Sequence, residues 1–206
     1  FQSREALRRA LIGEPVTFKV ESEYASREFA LVFKDGVGDI AVEHCKNGWC
    51  VGKPSREDEN DENAMKRNQL IKEAEEDAKQ FFRGKHTCDP LLLNKAVRNK
   101  SDPRLVDEFI DAKGAEPIHC VVEVALNGST MKVSVCEEGP ARGAEVTILL
   151  AGVVAPAMGK KNEKEPEPHA REAKYFAELS VLNRDVRVVF VGKDKYGNRF
   201  ASVLPK

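Results

Sequence analysis

The sequence predicts an α+β fold in which helices flank a five-stranded Greek-key β-barrel of the OB type. One observation is an internal repeat, because an amphipathic helix that opens with Arg-Glu-Ala and a following β-hairpin occur at residues 4–33 and again at residues 171–204. Another is the order strand, strand, strand, helix, strand, strand over residues 118–204, which is the order of such a barrel. Since the two copies lie far apart, they indicate two domain-sized modules and exclude a solenoid.

Composition limits the function classes. The chain has 206 residues, of which 41% are hydrophobic and 33% charged, and its formal net charge is −1. This balance excludes a general attraction to nucleic acid, so any such surface must be a local patch. The five cysteines form no CxxC motif, which favours reduced thiols in a cytoplasmic protein, with the nucleus as the alternative. No apolar run is long enough for a bilayer, so we expect no membrane partner.

The first repeat copy contains four predicted elements. Ser3–Leu11 has one apolar helical face, and Val16–Phe33 reads as a hairpin whose first strand alternates apolar and polar residues, which predicts a half-buried strand. Asp39–Lys46 is predicted to be a short helix and Glu62–Phe82 a long one. Because the chain opens at Phe1, we expect it to be part of a longer polypeptide.

A connector and a second module follow. Gly84–Pro117 contains a predicted helix near Asp102–Ala112, with a proline suited to its first turn. The next three strands are predicted around a tight Asn-Gly turn, before the second copy of the helix and hairpin. Their predicted bounds are Ile118–Ala125, Thr130–Cys136 and Glu145–Ala151.

The order of elements, the two helix–hairpin copies and the sequences at 167–176 and 183–186 resemble the tandem staphylococcal-nuclease-like modules of the Tudor staphylococcal nuclease (Tudor-SN) family. The resemblance implies that residues 1–85 are the C-terminal part of a first module, residues 86–116 a helical connector, and residues 117–206 the N-terminal part of a second module. It implies RNA-binding scaffold modules linked to RNA silencing and RNA metabolism. The implied partners are RNA and proteins of RNA-silencing or transcription complexes.

The resemblance also implies where a nuclease site would lie. Such a site needs carboxylates for calcium, a glutamate that activates water and two arginines that hold the developing charge. The two acidic motifs of the family fall on 127–130 and 154–157, where this chain has Asn-Gly-Ser-Thr and Val-Ala-Pro-Ala. The strand arginine falls at Leu149 and the hairpin arginine at Asn198. We therefore expect the second module to be catalytically degenerate, without a metal or another cofactor.

The first module leaves the enzymatic question open. Arg27 occupies the position of the hairpin arginine, either as a catalytic remnant or as an ordinary surface residue. Calcium would be a cofactor only if an intact first module is active. We also expect the first copy's apolar side chains to lack a barrel of their own, in which case the long helix could pack on the barrel of residues 118–204 instead.

The second hairpin turn carries the predicted nucleic-acid-binding residues. OB folds use exposed rings and basic loops against bases and phosphates, although a solvated turn tyrosine is an equally open interpretation. Phe81 and Phe82 are predicted to be core residues. Three functions compete: an RNA-binding scaffold, a calcium-dependent ribonuclease in the intact parent, and a protein-interaction platform. The candidate nucleic-acid-binding residues are Lys193, Lys195, Tyr196 and Arg199, with a second basic group at Lys160 and Lys161.

Overall fold

A computed structural model describes residues 2–25, 27–53, 62–91, 102–159 and 165–205. The chain divides into two compact units, Phe1–Val97 and Arg98–Lys206. The division falls inside the predicted connector, and the connector's helix belongs to the second unit. No helix among these residues is both long enough and apolar enough to cross a membrane.

The first unit combines helices with a small antiparallel sheet in the order β1-β2-β3. A 3-10 turn at Gly84–His86 follows its last helix. Its elements are α1 (Gln2–Leu11), β1 (Thr17–Tyr24), β2 (Arg27–Lys34), β3 (Gly38–Asp39), α2 (Ile40–Lys46) and α3 (Glu62–Gln80).

The β1–β2 hairpin forms as predicted, but its burial differs. Every residue of β1 is exposed, so the prediction of a half-buried strand is wrong. Phe18 is 67% exposed and Phe29 is 52% exposed. The alternation is real, but the described part of this unit contains no barrel that its apolar side could fill. The expectation of unfilled apolar side chains is therefore confirmed.

The core of the first unit lies between α2 and α3. Asp39 caps α2 by accepting a hydrogen bond from the Ala41 amide at 2.8 Å. Ile71 and Ala74 of α3 pack against Cys45 of α2. Part of the buried face of α3 is thus covered from within its own unit.

The second unit is a closed barrel with strand order β4-β5-β6-β8-β7, which confirms the predicted α+β fold of the OB type. The barrel closes where residues 148–150 pair in parallel with residues 199–201. Ile118, Val133, Ile148 and Val188 fill the interior and are fully buried. The elements are α4 (Pro103–Lys113), β4 (Ile118–Ala125), β5 (Thr130–Val135), β6 (Glu145–Leu150), α5 (Ala170–Val181), β7 (Asp185–Lys193) and β8 (Arg199–Pro205).

The connector helix α4 is part of the barrel's packing. Asp102 caps it by accepting a hydrogen bond from the Arg104 amide at 2.9 Å, and Pro103 takes its first position. Val106 and Ile110 of α4 belong to the same buried cluster as the barrel strands. Burying such aliphatic side chains stabilises the fold by about 1.5–3 kcal/mol each, so α4 is fixed to the second unit.

Candidate nucleic-acid interface

The turn between β7 and β8 is organised by one carboxylate. Asp194 Oδ1 accepts hydrogen bonds from the amides of Tyr196 at 2.8 Å and Asn198 at 2.9 Å. Asp194 Oδ2 accepts another from Asn198 Nδ2 at 2.8 Å. The Asn198 side-chain bond and these amides hold the pKa of Asp194 below its ordinary value. The ionised carboxylate therefore presets the turn.

The turn presents an aromatic ring beside a cation. Tyr196 is 76% exposed. Lys195 Nζ lies 5.0 Å from the centroid of the Tyr196 ring, within cation–π distance. An exposed ring offers a stacking face to any base, and a neighbouring ammonium offers a charge to the phosphate. This pair has the chemistry of a single-stranded nucleic-acid contact.

Arg199 is not available as a phosphate ligand, which corrects its assignment to the interface. Its side chain is only 6% exposed. The guanidinium donates through Nε and Nη2 to Asp107 and through Nη1 to Asp111 at 3.0 Å, and both acids lie on α4. Lys193 Nζ is also committed, 2.9 Å from Asp107 Oδ2. The exposed candidates at the hairpin tip are therefore Lys195 and Tyr196.

We call Lys193, Arg199, Asp107 and Asp111 the Arg199 network. Hydrogen bonds from Arg199 and then from Lys193 lower the pKa of Asp107, so this carboxylate is ionised at neutral pH. The network joins the connector helix to the end of β7 and the start of β8. Sequence reasoning missed its acids, although their i, i+4 spacing places both on one face of α4.

The other predicted site residues lie apart from the β7–β8 turn or outside the residues that the structure describes. Lys160 and Lys161 fall outside the described residues. Arg27 begins β2, is exposed, and pairs across the first hairpin with Tyr24, which is 76% exposed. Arg27 thus has the predicted place beside a hairpin turn, and its catalytic role stays a prediction.

The turn between β4 and β5 occupies the place of the family's first acidic motif. Asn127 Oδ1 accepts hydrogen bonds from the amides of Ser129 at 2.8 Å and Thr130 at 2.7 Å. Ser129 is only 7% exposed, and its Oγ accepts a hydrogen bond from the Ala155 amide at 3.1 Å. The two segments expected to carry acids are therefore tied directly to each other by a hydroxyl and an amide.

The space around this turn is small. A Cβ added at Gly128 would lie 2.9 Å from the Cβ atoms of both Ala155 and Ala173. Ala173 belongs to α5, so the turn, the segment after β6 and the helix meet through small side chains.

In the parts of the chain described, no cluster of three or more histidine, cysteine, aspartate or glutamate residues is placed to hold a metal ion.

A pair of exposed aromatic residues follows α3. Phe81 and Phe82 are 58% and 62% exposed, so their prediction as core residues is wrong. The helix ends at Gln80, two residues earlier than predicted, and Phe82 takes a left-handed φ of +51° as the Arg83 amide bonds the Ala78 carbonyl. Arg83 stacks 5.0 Å from the centroid of the Phe81 ring. The sequence held no signal against a core role, because Phe81 continues the apolar spacing of Ala74 and Ala78.

Comparison with known proteins agrees with the barrel. The family model described as "Staphylococcal nuclease homologue" matches residues 147–206. Ribonuclease TUDOR 1 of Arabidopsis thaliana is 31% identical over 98% of this chain, and Ribonuclease TUDOR 2 of the same plant is 29% identical over 98%. Staphylococcal nuclease domain-containing protein 1 of Drosophila melanogaster is 27% identical over 91%.

The matches cover only part of the relatives. This chain spans 25% of the length of each Arabidopsis protein and 20% of the Drosophila protein. Within that span they extend over both units, whereas the family model matches the second unit's barrel from β6 onward. The barrel, the repeated helix and hairpin, and these similarities lead to one conclusion: over both units the chain is similar to proteins of the Tudor staphylococcal nuclease family.

Proposed function

We propose that this chain is an RNA-binding scaffold segment whose second module binds RNA without hydrolysing it. The observation that carries the proposal is the exposed Tyr196 ring with Lys195 Nζ 5.0 Å from its centroid, at the tip of a barrel hairpin. Stacking on an exposed ring contributes about 1–3 kcal/mol per base and tolerates any sequence. The names of the two Arabidopsis relatives, both ribonucleases, support RNA as the ligand.

The side chains of this module support the proposed absence of hydrolysis. Calcium requires six to eight oxygen ligands, among them carboxylates, and water activation requires a base. The corresponding segments supply Ser129, Ala155 and Ala157, and the Ser129 hydroxyl is already bonded to the Ala155 amide. A calcium-dependent ribonuclease remains the alternative for the intact parent, with Arg27 as a residue of its first module.

A protein-interaction platform is the second candidate, and an exposed helix face favours it. The exposed side chains of α5 include Tyr175 at 61%, Phe176 at 72% and Leu179 at 59%, whereas Ala170 and Ala177 are buried on the opposite face of the helix. Their i, i+3 and i, i+4 spacing forms one apolar strip. Proteins of RNA-silencing or transcription complexes, in the cytoplasm or the nucleus, are the partners that the family resemblance proposes.

RNA binding by the 206-residue chain tests the proposal. The variant combining Lys195→Ala with Tyr196→Ala should bind a single-stranded RNA oligonucleotide about tenfold more weakly, since it loses one stacked base. The slope of log affinity against log salt should fall by about 0.7 for the lost phosphate contact. Arg187→Ala is the matched control, because it removes one exposed charge from the other end of the same hairpin.

Two outcomes would overturn the proposal. Equal losses in the hairpin variant and in Arg187→Ala would show that binding follows net charge and not the ring. Cleavage of the RNA that calcium stimulates and a chelator abolishes would contradict the non-hydrolytic assignment, provided Arg27→Ala leaves that cleavage intact and so attributes it to the second module.

A further inference from the structure

Two thiols of the first unit lie in contact. Cys45 is in the last turn of α2, and Cys50 follows five residues later. Their Sγ atoms are 3.3 Å apart, and both cysteines are free. A disulfide bond has an S–S length of about 2.05 Å, so the two sulfurs need to approach by only a little more than 1 Å.

The backbone between the two cysteines holds them in this position. The Gly48 amide donates to the Cys45 carbonyl at 2.9 Å, and the Trp49 amide donates to the His44 carbonyl at 2.9 Å. Gly48 takes a φ of +71°, which favours glycine. Beyond Cys50, the Gly52 amide donates to Glu75 Oε2 of α3 at 2.9 Å. The segment is thus fixed on both sides of Cys50.

The two thiols differ in their surroundings. Cys45 is 2% exposed and packs with Ile71 and Ala74, whereas Cys50 is only partly buried. Burial, followed by the neighbouring Cys50, raises the pKa of the Cys45 thiol to about 12. Cys45 therefore stays protonated and sheltered at neutral pH, and Cys50 is the thiol that a small oxidant meets first.

We propose that Cys45 and Cys50 form an oxidation site in which a peroxide converts the two thiols to an intramolecular disulfide. The Cys50 thiol gives up its proton, the resulting thiolate attacks one peroxide oxygen, and the O–O bond breaks. The hydroxide that leaves takes up that proton, so the products are a Cys50 sulfenic acid and one water. The Cys45 sulfur then attacks the Cys50 sulfur. The S–S bond forms as the S–O bond breaks, and the departing hydroxide takes the Cys45 proton as a second water. Two thiols are oxidised by two electrons, and one peroxide is reduced.

The consequence is confined to the first unit. The disulfide would close the loop of residues 45–50 at the end of α2, next to the segment whose Gly52 amide donates to Glu75 of α3. Trp49, the chain's one tryptophan, lies inside that loop and reports its closure by fluorescence. We expect oxidation to raise the urea midpoint of the Trp49 transition, because the cross-link restricts the unfolded chain.

The test treats the 206-residue chain with hydrogen peroxide, blocks free thiols with N-ethylmaleimide and maps the peptides by mass spectrometry. With the blocking step done in denaturant, so that the buried Cys120 reacts too, the expected product is a species 2 Da lighter in which Cys45 and Cys50 are joined to each other, and dithiothreitol restores both thiols. Cys88, an exposed thiol, is the internal control and should accumulate higher oxidation states without a partner. Cys50→Ser should leave Cys45 reduced and abolish the shift of the Trp49 midpoint.

Other products would overturn the proposal. One is a Cys50 sulfinic acid beside an alkylated Cys45. Another is a Cys50–Cys88 cross-link in the wild-type chain. Because Cys45 is buried and its replacement could perturb folding, Cys45→Ala serves as a second variant. If it retains the Trp49 transition, its Cys50 should stop at sulfenic or sulfinic acid, and a midpoint shift equal to that of the wild type would refute the disulfide.

Discussion

Replacing Asp107 and Asp111 by asparagine tests whether the Arg199 network holds the connector helix on the barrel. The change leaves the Arg199 guanidinium, whose side chain is 6% exposed, without an anionic partner. Breaking a buried pair in this way costs roughly 3–5 kcal/mol. The acids are 52% and 63% exposed, so water screens the network and the lower end, about 3 kcal/mol, is expected.

The reverse substitution should cost less. Arg199→Met leaves the two acids in contact with water, and the Met side chain keeps a packing contact with Phe190, whose ring lies 5.7 Å from the guanidinium carbon. The loss is then that of charged hydrogen bonds, roughly 1.5–3 kcal/mol. Glu108→Gln is the matched control, because this acid is exposed on the same helix, whereas the acids of the Arg199 network are Asp107 and Asp111.

The assay must report the second unit alone. Cys120 is fully buried in the barrel, so its alkylation rate in urea measures unfolding of that unit. Trp49 fluorescence follows the first unit and should not change. With an unfolding slope of 1–3 kcal/mol per molar urea, about 3 kcal/mol lowers the Cys120 midpoint by about 1–3 M. A double variant no less stable than Glu108→Gln would refute the reasoning, as would an Arg199→Met loss larger than that of the double variant.

The network also makes a pH prediction. The pKa of Asp107 in the folded state lies below its ordinary value of 3.8, because Arg199 and Lys193 donate to it. The contribution of Asp107 to stability is therefore complete at pH values above its pKa in the unfolded chain, and it is lost as the pH falls through its pKa in the folded chain. The difference in the Cys120 urea midpoint between wild type and the double variant should be largest near pH 6 and should become smaller below pH 3.8. An unchanged difference at pH 3 would contradict the assignment.

Two glycine substitutions, each with a control, and one aromatic substitution test local packing and backbone strain. Gly48→Ala should sharply lower the Trp49 urea midpoint, because the added Cβ would lie 2.2 Å from the Arg83 carbonyl oxygen. Gly36→Ala is its control: it has a similar φ but open space around it, so it should lower the free energy of unfolding by only about 1 kcal/mol. Gly128→Ala should lower the Cys120 midpoint through its two 2.9 Å contacts, and Gly192→Ala, which meets nothing within 4 Å, should not. Phe82→Gly should raise the Trp49 urea midpoint, because glycine takes a left-handed φ without strain, and the expected gain in the free energy of unfolding is about 0.5–1 kcal/mol. A lower midpoint would mean that the contacts of the exposed Phe82 ring stabilise the first unit by more than its left-handed φ destabilises it.

The barrel was predictable because its signals are local. Alternating strands, an Asn-Gly turn and a helix between the third and fourth strands are each visible in a few residues, and their order admits few topologies. The repeat then located the helix and hairpin of both units. The caps of α2 and α4 were also local, since aspartates stand directly before each helix.

The charge network was not predicted because it joins residues about ninety positions apart. The sequence did contain one relevant signal. Arg199 and Ala201 are two residues apart on β8, so they share a face, and Ala201 is fully buried. An arginine on the buried face of a barrel strand requires an acid from another element. The prediction that β1 is half-buried failed for a different reason. Alternation shows which side of a strand is apolar, but it does not show whether another element covers that side.

Parallel pairing of β6 with β8 has a consequence for synthesis. Residues 148–150 cannot meet residues 199–201 until about fifty further residues have left the ribosome. Closing so long a loop is slow, because its entropy is lost before the contacts form. Until then the inner side chains of β4, β5 and β6, Val133 and Ile148 among them, lack the two strands that complete their cover in the folded barrel. The second unit therefore has its greatest exposure to aggregation, and to chaperones, during the translation of its own last hairpin.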